Sequence, residues 1–136
     1  MIPTEGSPQV LVLRDTLQAK AALERAGVSE VAMKVMDRRA LFRTVRITGL
    51  GIREVNILKQ ELTSRGGEVA VSEDLFQWMK ENGGCLLMGT LAQFERLLPR
   101  LKSADTGLRG LAGSIEAALR NHDTPIPACH HRLRLE

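Results

Sequence analysis

Residues 52–71 constrain the fold most, because they join an amphipathic helix to a short strand through two glycines. The apolar stripe of the helix consists of Val55, Leu58 and Leu62. A stripe at this spacing must be covered by a sheet or by another helix. Gly66 and Gly67 end the helix, since glycine accepts the left-handed backbone that helix C-termini commonly need. Val69 and Val71 then alternate with smaller or polar residues, which predicts a strand with one better-buried face.

The same kinds of pattern predict the other elements of the chain. Short apolar or alternating runs predict strands at 10–13, 42–47 and 85–88. Apolar residues at helical spacing predict helices at 15–26, 73–82, 91–101 and 108–119. Asp15 with Gln18, and Thr90 with Gln93, have the spacing of capping boxes. Residues 28–40 fit either a helix or a strand, and we favour a short helix.

Three finer features follow from these patterns. Alternation along 42–47 places Phe42, Thr44 and Arg46 on one face of the strand, and Arg43, Val45 and Ile47 on the other. The wholly apolar run at 85–88 is bounded by glycines, which predicts a central strand covered on both faces. Pro99 is expected to kink its helix or to divide it after residue 98.

Strands separated by helices predict an α/β fold, here a small single-domain layered fold. We expect about four short strands, at least partly parallel, with flanking helices. The 136 residues fit one compact domain. We expect a flexible N-terminal arm at 1–9, the α/β domain at 10–122 and a linker at 123–136, where Pro125 and Pro127 change the composition.

Composition excludes several classes of partner. The net charge of +3 comes from 19 basic and 16 acidic residues of scattered sign, which does not indicate a nucleic-acid binder. Tyrosine is absent, and three Phe and one Trp are too few for a base-stacking platform. The N-terminus does not resemble a signal peptide, and no run approaches the roughly 18 apolar residues that span a bilayer. We therefore expect a cytoplasmic protein with neither a nucleic-acid nor a membrane partner.

The turn at Gly49, Leu50 and Gly51 follows a strand and opens a helix, where a phosphate could meet free backbone N–H groups. A dinucleotide fingerprint needs a third glycine at position 54, where the chain has Glu54. Two glycines are a weak signal, so a plain strand-to-helix turn is the favoured interpretation.

Metal and nucleophile chemistry find little support in the sequence. The residues of metal-ligand type near the C-terminus are His122, Cys129, His130 and His131. Adjacent histidines do not easily direct both rings at one ion, so a solvated tail is favoured over a metal site. Cys85 is expected to be buried, and no histidine precedes position 122 to activate it. We predict no catalytic, cofactor or metal residue.

One flank of the helix in 52–71 carries Asn56, Lys59 and Gln60 beside the apolar stripe. The ordinary interpretation is a solvated helix side, and the alternative is a docking face for another domain or subunit. Glu61 and Arg65 are four residues apart, a spacing that modestly stabilises an exposed helix.

The amino-acid sequence of two blocks, at 56–71 and at 86–97, resembles the amino-terminal extension carried by some bacterial dihydropteroate synthases. With Gly107, Leu108 and the helix after them, the resemblance covers roughly residues 10–120. The run Arg132-Leu-Arg-Leu135 is similar to the segment that leads into the first barrel strand of that enzyme. The resemblance thus identifies an accessory domain of that family.

This resemblance implies a parent enzyme that condenses dihydropterin pyrophosphate with 4-aminobenzoate in folate synthesis, with Mg²⁺ as an expected cofactor of the parent. The pterin-site motif Asn-x-Thr-Pro-Asp-Ser-Phe is absent here, and a barrel needs upwards of about 200 residues. No catalytic residue can therefore be carried over, and we expect this fragment to be non-catalytic. The expected partners are the parent's own C-terminal TIM barrel and, through self-association, a second copy of the chain.

Two alternatives accompany that interpretation. The turn at Gly49 and Gly51 leaves open an independent small-molecule or phosphate-binding α/β module. The last two residues, Leu135 and Glu136, also match a common scar before a purification tag, which would make them cloning residues.

Overall fold

The computed structural model describes residues 6–71 and 84–123. Within them the elements are α1 (Thr16–Arg25), α2 (Glu30–Met36), a 3₁₀ turn (Asp37–Arg39), β1 (Phe42–Thr48), α3 (Ile52–Thr63), β2 (Glu68–Val71), β3 (Gly84–Thr90), α4 (Leu91–Lys102) and α5 (Arg109–Asp123). This part of the chain is a small α/β domain with five helices and three strands. The helix predicted at 73–82 and the strand-like run at 132–135 lie outside the described residues.

The three strands form one antiparallel sheet in the order β1-β3-β2. In its centre Leu87 of β3 lies between Val45 of β1 and Val69 of β2. The predicted parallel pairing is therefore wrong. Both edge strands run opposite to β3 and hence parallel to each other, so β1, α3 and β2 form a strand-helix-strand unit. What the pattern missed is the insertion of β3 between its two strands.

The strand predicted at 10–13 is also wrong, and with it the count of about four strands for this part of the chain. Residues 7–14 form neither helix nor strand, and Val10 and Val12 are 90% and 82% exposed. Neither sheet edge pairs with them. An apolar run forms a strand only when a neighbour satisfies its backbone N–H and C=O groups. Of this run, Leu13 alone packs against the core.

The helices cover one face of the sheet and build the core against it. α3 packs on β2 and on α4, and α4 packs on β3 and on α5. The predicted stripe of α3 is confirmed, because Val55, Leu58 and Leu62 are all fully buried. The largest other fully buried side chains are Phe94, Leu41, Leu87, Leu97, Leu101 and Ile115. Because the stripe of α3 packs into this core, the opposite side of α3 remains in solvent.

The predicted start of α4 is confirmed, since Thr90 and Gln93 form a reciprocal capping box. Of the two predicted effects of Pro99, the division after residue 98 is wrong, because α4 runs through Pro99 to Lys102. The kink stays a prediction. A proline inside a helix costs about 3 kcal/mol through its missing N–H and its steric clash. The buried leucines on both sides of Pro99, Leu97, Leu98 and Leu101, hold the helix together against that cost.

The other face of the sheet is open among the described residues. The predicted alternation of β1 is confirmed, with Arg43 buried and Phe42 on the opposite side and 61% exposed. β3 takes its predicted central place, but Leu86 on the same open face is 37% exposed. The expectation that β3 is covered on both faces is thus wrong for this part of the chain, because all of the packed helices lie on one side.

The N-terminal helices match their predicted type. α2 confirms the short helix, and Ser29 caps it by accepting the N–H of Ala32. Asp15 accepts the N–H of Gln18 at 2.8 Å, as its predicted capping role requires. In a full capping box the side chain of Gln18 would accept the backbone N–H of Asp15. Here it accepts the N–H of Arg14 instead, one residue earlier.

Candidate functional sites

The α3 face, defined here as Asn56, Lys59 and Gln60, is exposed to solvent. It lies on α3 away from the buried stripe that anchors this helix to the core. None of its three side chains makes a hydrogen bond or an ion pair with another described residue, so all three are available to a partner. The geometry agrees with either of the two interpretations given above, a solvated side or a docking face.

Ion pairs beside the α3 face join α3 to α4. Glu61 Oε1 lies 2.9 Å from Arg65 Nη1, which confirms the predicted pair, with Arg65 in the turn that follows α3. Glu61 Oε2 lies 3.1 Å from Arg100 Nε of α4, and Arg100 Nη1 lies 3.0 Å from Asp105 Oδ2. Desolvation raises the pKa of Glu61, but the hydrogen bonds from Arg100 and Arg65 outweigh it, and the pKa lies below its usual value. Sequence spacing could not reveal the contact to Arg100.

Replacement of Glu61 by glutamine is expected to lower the free energy of unfolding by about 1 kcal/mol near pH 7. Because folding lowers the pKa of Glu61, its ionised carboxylate stabilises the fold at pH values above the unfolded-state pKa. This contribution is lost as pH falls through the folded-state pKa. The difference between Glu61→Gln and the wild type should therefore shrink as pH falls below the unfolded-state pKa and vanish below the folded-state pKa. Urea unfolding at neutral and at acidic pH measures it.

The matched control is Glu68→Gln, because Glu68 is exposed and has no ion pair among the described residues. This variant should stay close to the wild type at both pH values. A Glu61→Gln difference that is the same at neutral and acidic pH would contradict the role of the carboxylate charge.

A cavity of about 300 Å³ lies between α1, the 3₁₀ turn, α4 and α5. Its charged lining residues have both signs: Lys20, Asp37, Arg38, Glu95, Glu116, Arg120 and Asp123. Arg38 Nε lies 2.6 Å from Glu95 Oε2, and Glu116 Oε1 lies 3.0 Å from Lys102 Nζ. Burial raises the pKa of Glu95, although Arg38 opposes that shift. Glu95, Glu116 and Asp123 are in ion pairs, and Asp37 accepts the backbone N–H of Arg38. The cavity therefore favours neither an anionic nor a cationic ligand.

Arg43 ties both ends of the described chain to the sheet. Its side chain is buried, and Nη2 donates to the carbonyl of Arg14 at 2.6 Å and lies 3.6 Å from Asp123 Oδ1. Asp123 in turn accepts the N–H and the hydroxyl of Thr16 at 2.9 and 2.8 Å. The Nε of Arg43 is buried and meets no acceptor among the described residues. The alternation of β1 placed Arg43 on the same face as Val45 and Ile47, but it did not indicate these partners.

An open groove of about 390 Å³ follows β1 along the end of α5, and we call it the β1 groove. Its lining residues are Phe42, Arg43, Thr44, Val45, Arg46, Ala118, Leu119 and His122. Sequence reasoning missed this groove, because it depends on β1 being an edge strand.

The Glu54 carboxylate lies close to the turn before α3, where an anion would have to bind. Gly49 has a φ of +81°, and Gly51 is the N-cap of α3. Glu54 Oε1 lies 2.8 Å from the position that a Cβ on Gly51 would occupy. A negative side chain at the helix N-terminus repels a phosphate from the free N–H groups. The geometry therefore weakens the phosphate-binding interpretation of Gly49 and Gly51.

The remaining candidate groups are less informative. Cys85 is 3% exposed, and burial raises the pKa of its thiol, which makes it a poor nucleophile. His122 is exposed, whereas Cys129, His130 and His131 lie outside the described residues. Within 6–71 and 84–123, no group of three side chains is placed to hold a metal ion. No helix in these ranges is long and apolar enough to cross a membrane.

Three relatives match the chain, each over 74% of its length. A probable bifunctional folylpolyglutamate synthase/dihydropteroate synthase of Haloferax volcanii is 39% identical over 102 residues. The protein of the same description from Halobacterium salinarum is 32% identical over 105 residues. A bifunctional dihydropteroate synthase/dihydropteroate reductase of Helicobacter pylori is 29% identical over 101 residues.

The chain spans 12% of each of the first two relatives and 27% of the third. It is therefore distantly related to a part of bifunctional folate-pathway enzymes that contain dihydropteroate synthase. No protein-family model matches the chain. No solved structure matches it.

Proposed function

We propose that the chain is a non-catalytic accessory domain of a dihydropteroate synthase. One observation carries this proposal: two different second activities occur in the names of the three relatives, but all three names include dihydropteroate synthase. Because the matching segment occurs in proteins with either second activity, we assign it to the activity that they share, dihydropteroate synthase. In this proposal the parent joins dihydropterin pyrophosphate to 4-aminobenzoate. Its barrel, not this domain, binds the substrates and Mg²⁺.

The described side chains support an accessory role. Glu61, Glu95 and Glu116 are in ion pairs that join one helix or turn to another, and Cys85 is buried in the core. Groups used in this way stabilise packing and are poorly placed for proton transfer to a substrate. The domain then acts by contact, either on the barrel or on a second copy.

In the first of these roles the domain precedes the barrel and docks on it through the α3 face. Asn56, Lys59 and Gln60 supply two amides and one cation that need no rearrangement to meet a partner. A polar surface of this kind suits an interface between domains of one chain, because such interfaces are more polar than obligate ones.

The activity assay that tests the proposal compares residues 1–136 with the longest open reading frame that contains them in the source genome. The longer product is expected to form dihydropteroate, and residues 1–136 alone are expected to form none. Asn-x-Thr-Pro-Asp-Ser-Phe should be encoded downstream of residue 136. Because the Helicobacter pylori relative is also named a reductase, both products are given dihydropteroate with a reduced nicotinamide. Turnover by residues 1–136 in either assay would contradict a non-catalytic role.

The docking role is tested by charge reversal in the full-length product. Lys59→Glu is expected to accelerate hydrogen exchange along α3, because docking would no longer cover it. Lys34→Glu is the matched control, since Lys34 is also exposed but lies on α2, and this change should leave the exchange along α3 unchanged. Equal exchange at α3 in the wild type and in Lys59→Glu would contradict docking through this face while leaving the activity result intact.

A further inference from the structure

We propose that the β1 groove binds an extended segment in which apolar and acidic residues alternate. The segment would add to the sheet as a fourth strand beside β1. This inference does not depend on the proposed function, because it uses only the edge of the sheet and the charges around it.

The first step is the backbone of β1. Five consecutive residues of β1, 42–46, line the groove. Successive side chains of a strand point to opposite faces, so what all five share is the backbone edge. Among the described residues β1 is an edge of the sheet, with β3 on its other side. Such an edge presents unpaired N–H and C=O groups, which bind extended peptides by strand addition.

The second step is the apolar wall on the helix side. Val45 points to this side and is half-buried, and α5 extends beside it with Ala118 and Leu119. Side chains of an added strand alternate in the same way as those of β1. Every second residue of the bound segment would therefore contact this wall, where apolar side chains are favoured.

The third step is the charge of the groove. Arg46 lies on the open face, is exposed and has no carboxylate partner among the described residues. The lining includes Arg43 and His122 but no carboxylate, although Asp123, 3.6 Å from Arg43, partly balances that guanidinium. Residues of the bound segment that face the open side thus meet Arg46, and acidic side chains fit there.

Charge also distinguishes this occupant from two others. The chain's own run at 132–135 has the required alternation, but its alternate residues are Arg132 and Arg134. A second copy of β1 would bring another Arg43 and Arg46 to a groove that already has both. Like charges placed opposite each other across two strands destabilise the pairing.

The test uses two ten-residue probes, one alternating valine with glutamate and the other alternating valine with lysine, each with a fluorescent label. The glutamate probe is expected to bind at least about tenfold more tightly by fluorescence anisotropy at low salt. In amide hydrogen exchange, alternate residues of 42–48 should become protected when it binds, because only every second N–H of an edge strand faces the new neighbour.

Arg46→Glu is expected to reverse the preference between the two probes. Arg39→Glu is the matched control, because Arg39 is exposed close to β1 but does not line the groove, and it should keep the wild-type preference. Equal affinity for the two probes, or protection outside β1 and α5, would overturn the proposal. Protection of β1 that rises with protein concentration before any probe is added would overturn it in favour of a second copy.

Discussion

Truncation of Phe94 to alanine is expected to lower the free energy of unfolding by about 3–5 kcal/mol. Phe94 lies on α4, is fully buried, and belongs to the core that joins the sheet to the helices. The loss combines the transfer of an aromatic side chain with the cavity left behind. This loss is a large part of the total free energy of unfolding, which is about 5–15 kcal/mol for a typical domain. Urea unfolding followed by circular dichroism measures it.

Phe42→Ala is the matched control, because it removes the same atoms from a side chain that is 61% exposed. Its expected cost is less than about 1 kcal/mol, since most of that side chain already contacts water. Equal losses for the two variants would show that the open face of the sheet is covered in solution, which would contradict the one-sided core.

These two phenylalanines also show how far the sequence could predict the core. Phe94 stands in a stripe of helical period, and a local pattern of this kind identifies the buried side of a helix without knowledge of the fold. For β1 the alternation separates Phe42 from Arg43, but hydrophobicity then favours the wrong residue as buried. Arg43 is buried because Arg14 and Asp123 hold its guanidinium, and both lie far from it in sequence.

The topology could be predicted only in part for a similar reason. The order of β1, α3 and β2 predicts a unit whose two strands point the same way, and the structure agrees. Nothing local to β3 indicates that it enters between them, because a buried apolar run fits a parallel or an antiparallel neighbour equally well. The groove beside β1 was hidden from sequence by the same uncertainty, since only strand order makes β1 an edge.

The α3 face was easier to predict than the β1 groove. Asn56, Lys59 and Gln60 follow from the helical period of the buried stripe, so their exposure could be derived without strand order. The partner that binds this face could not be predicted, because exposure follows from the helix itself, whereas docking depends on the surface of a second domain. The β1 groove combines residues of one strand with the end of a helix that lies roughly 70 positions further along the chain. Hydrophobic periodicity reports only local structure, so it cannot predict that these two elements are neighbours.

Replacement of Gly67 by alanine is expected to destabilise the domain by about 2–3 kcal/mol. A Cβ on Gly67 would lie 2.7 Å from Leu62 Cγ and 2.8 Å from the carbonyl oxygen of Met88. Leu62 is fully buried and Met88 belongs to the central strand, so neither neighbour can move aside freely. The sequence assigned Gly66 and Gly67 one shared role in ending α3. In the structure Gly66 supplies the left-handed turn, with a φ of +96°, and Gly67 lets β2 approach β3.

Gly113→Ala makes the same chemical change at a site where the opposite result is expected. A Cβ on Gly113 of α5 would meet nothing within 4 Å, and alanine favours a helix interior over glycine by about 1 kcal/mol. Thermal unfolding should therefore show a lower midpoint for Gly67→Ala and a higher one for Gly113→Ala. If both variants shifted the midpoint in the same direction, the close approach of β2 to β3 at Gly67 would not be what limits this position, and helix termination would remain the one role of the glycine pair.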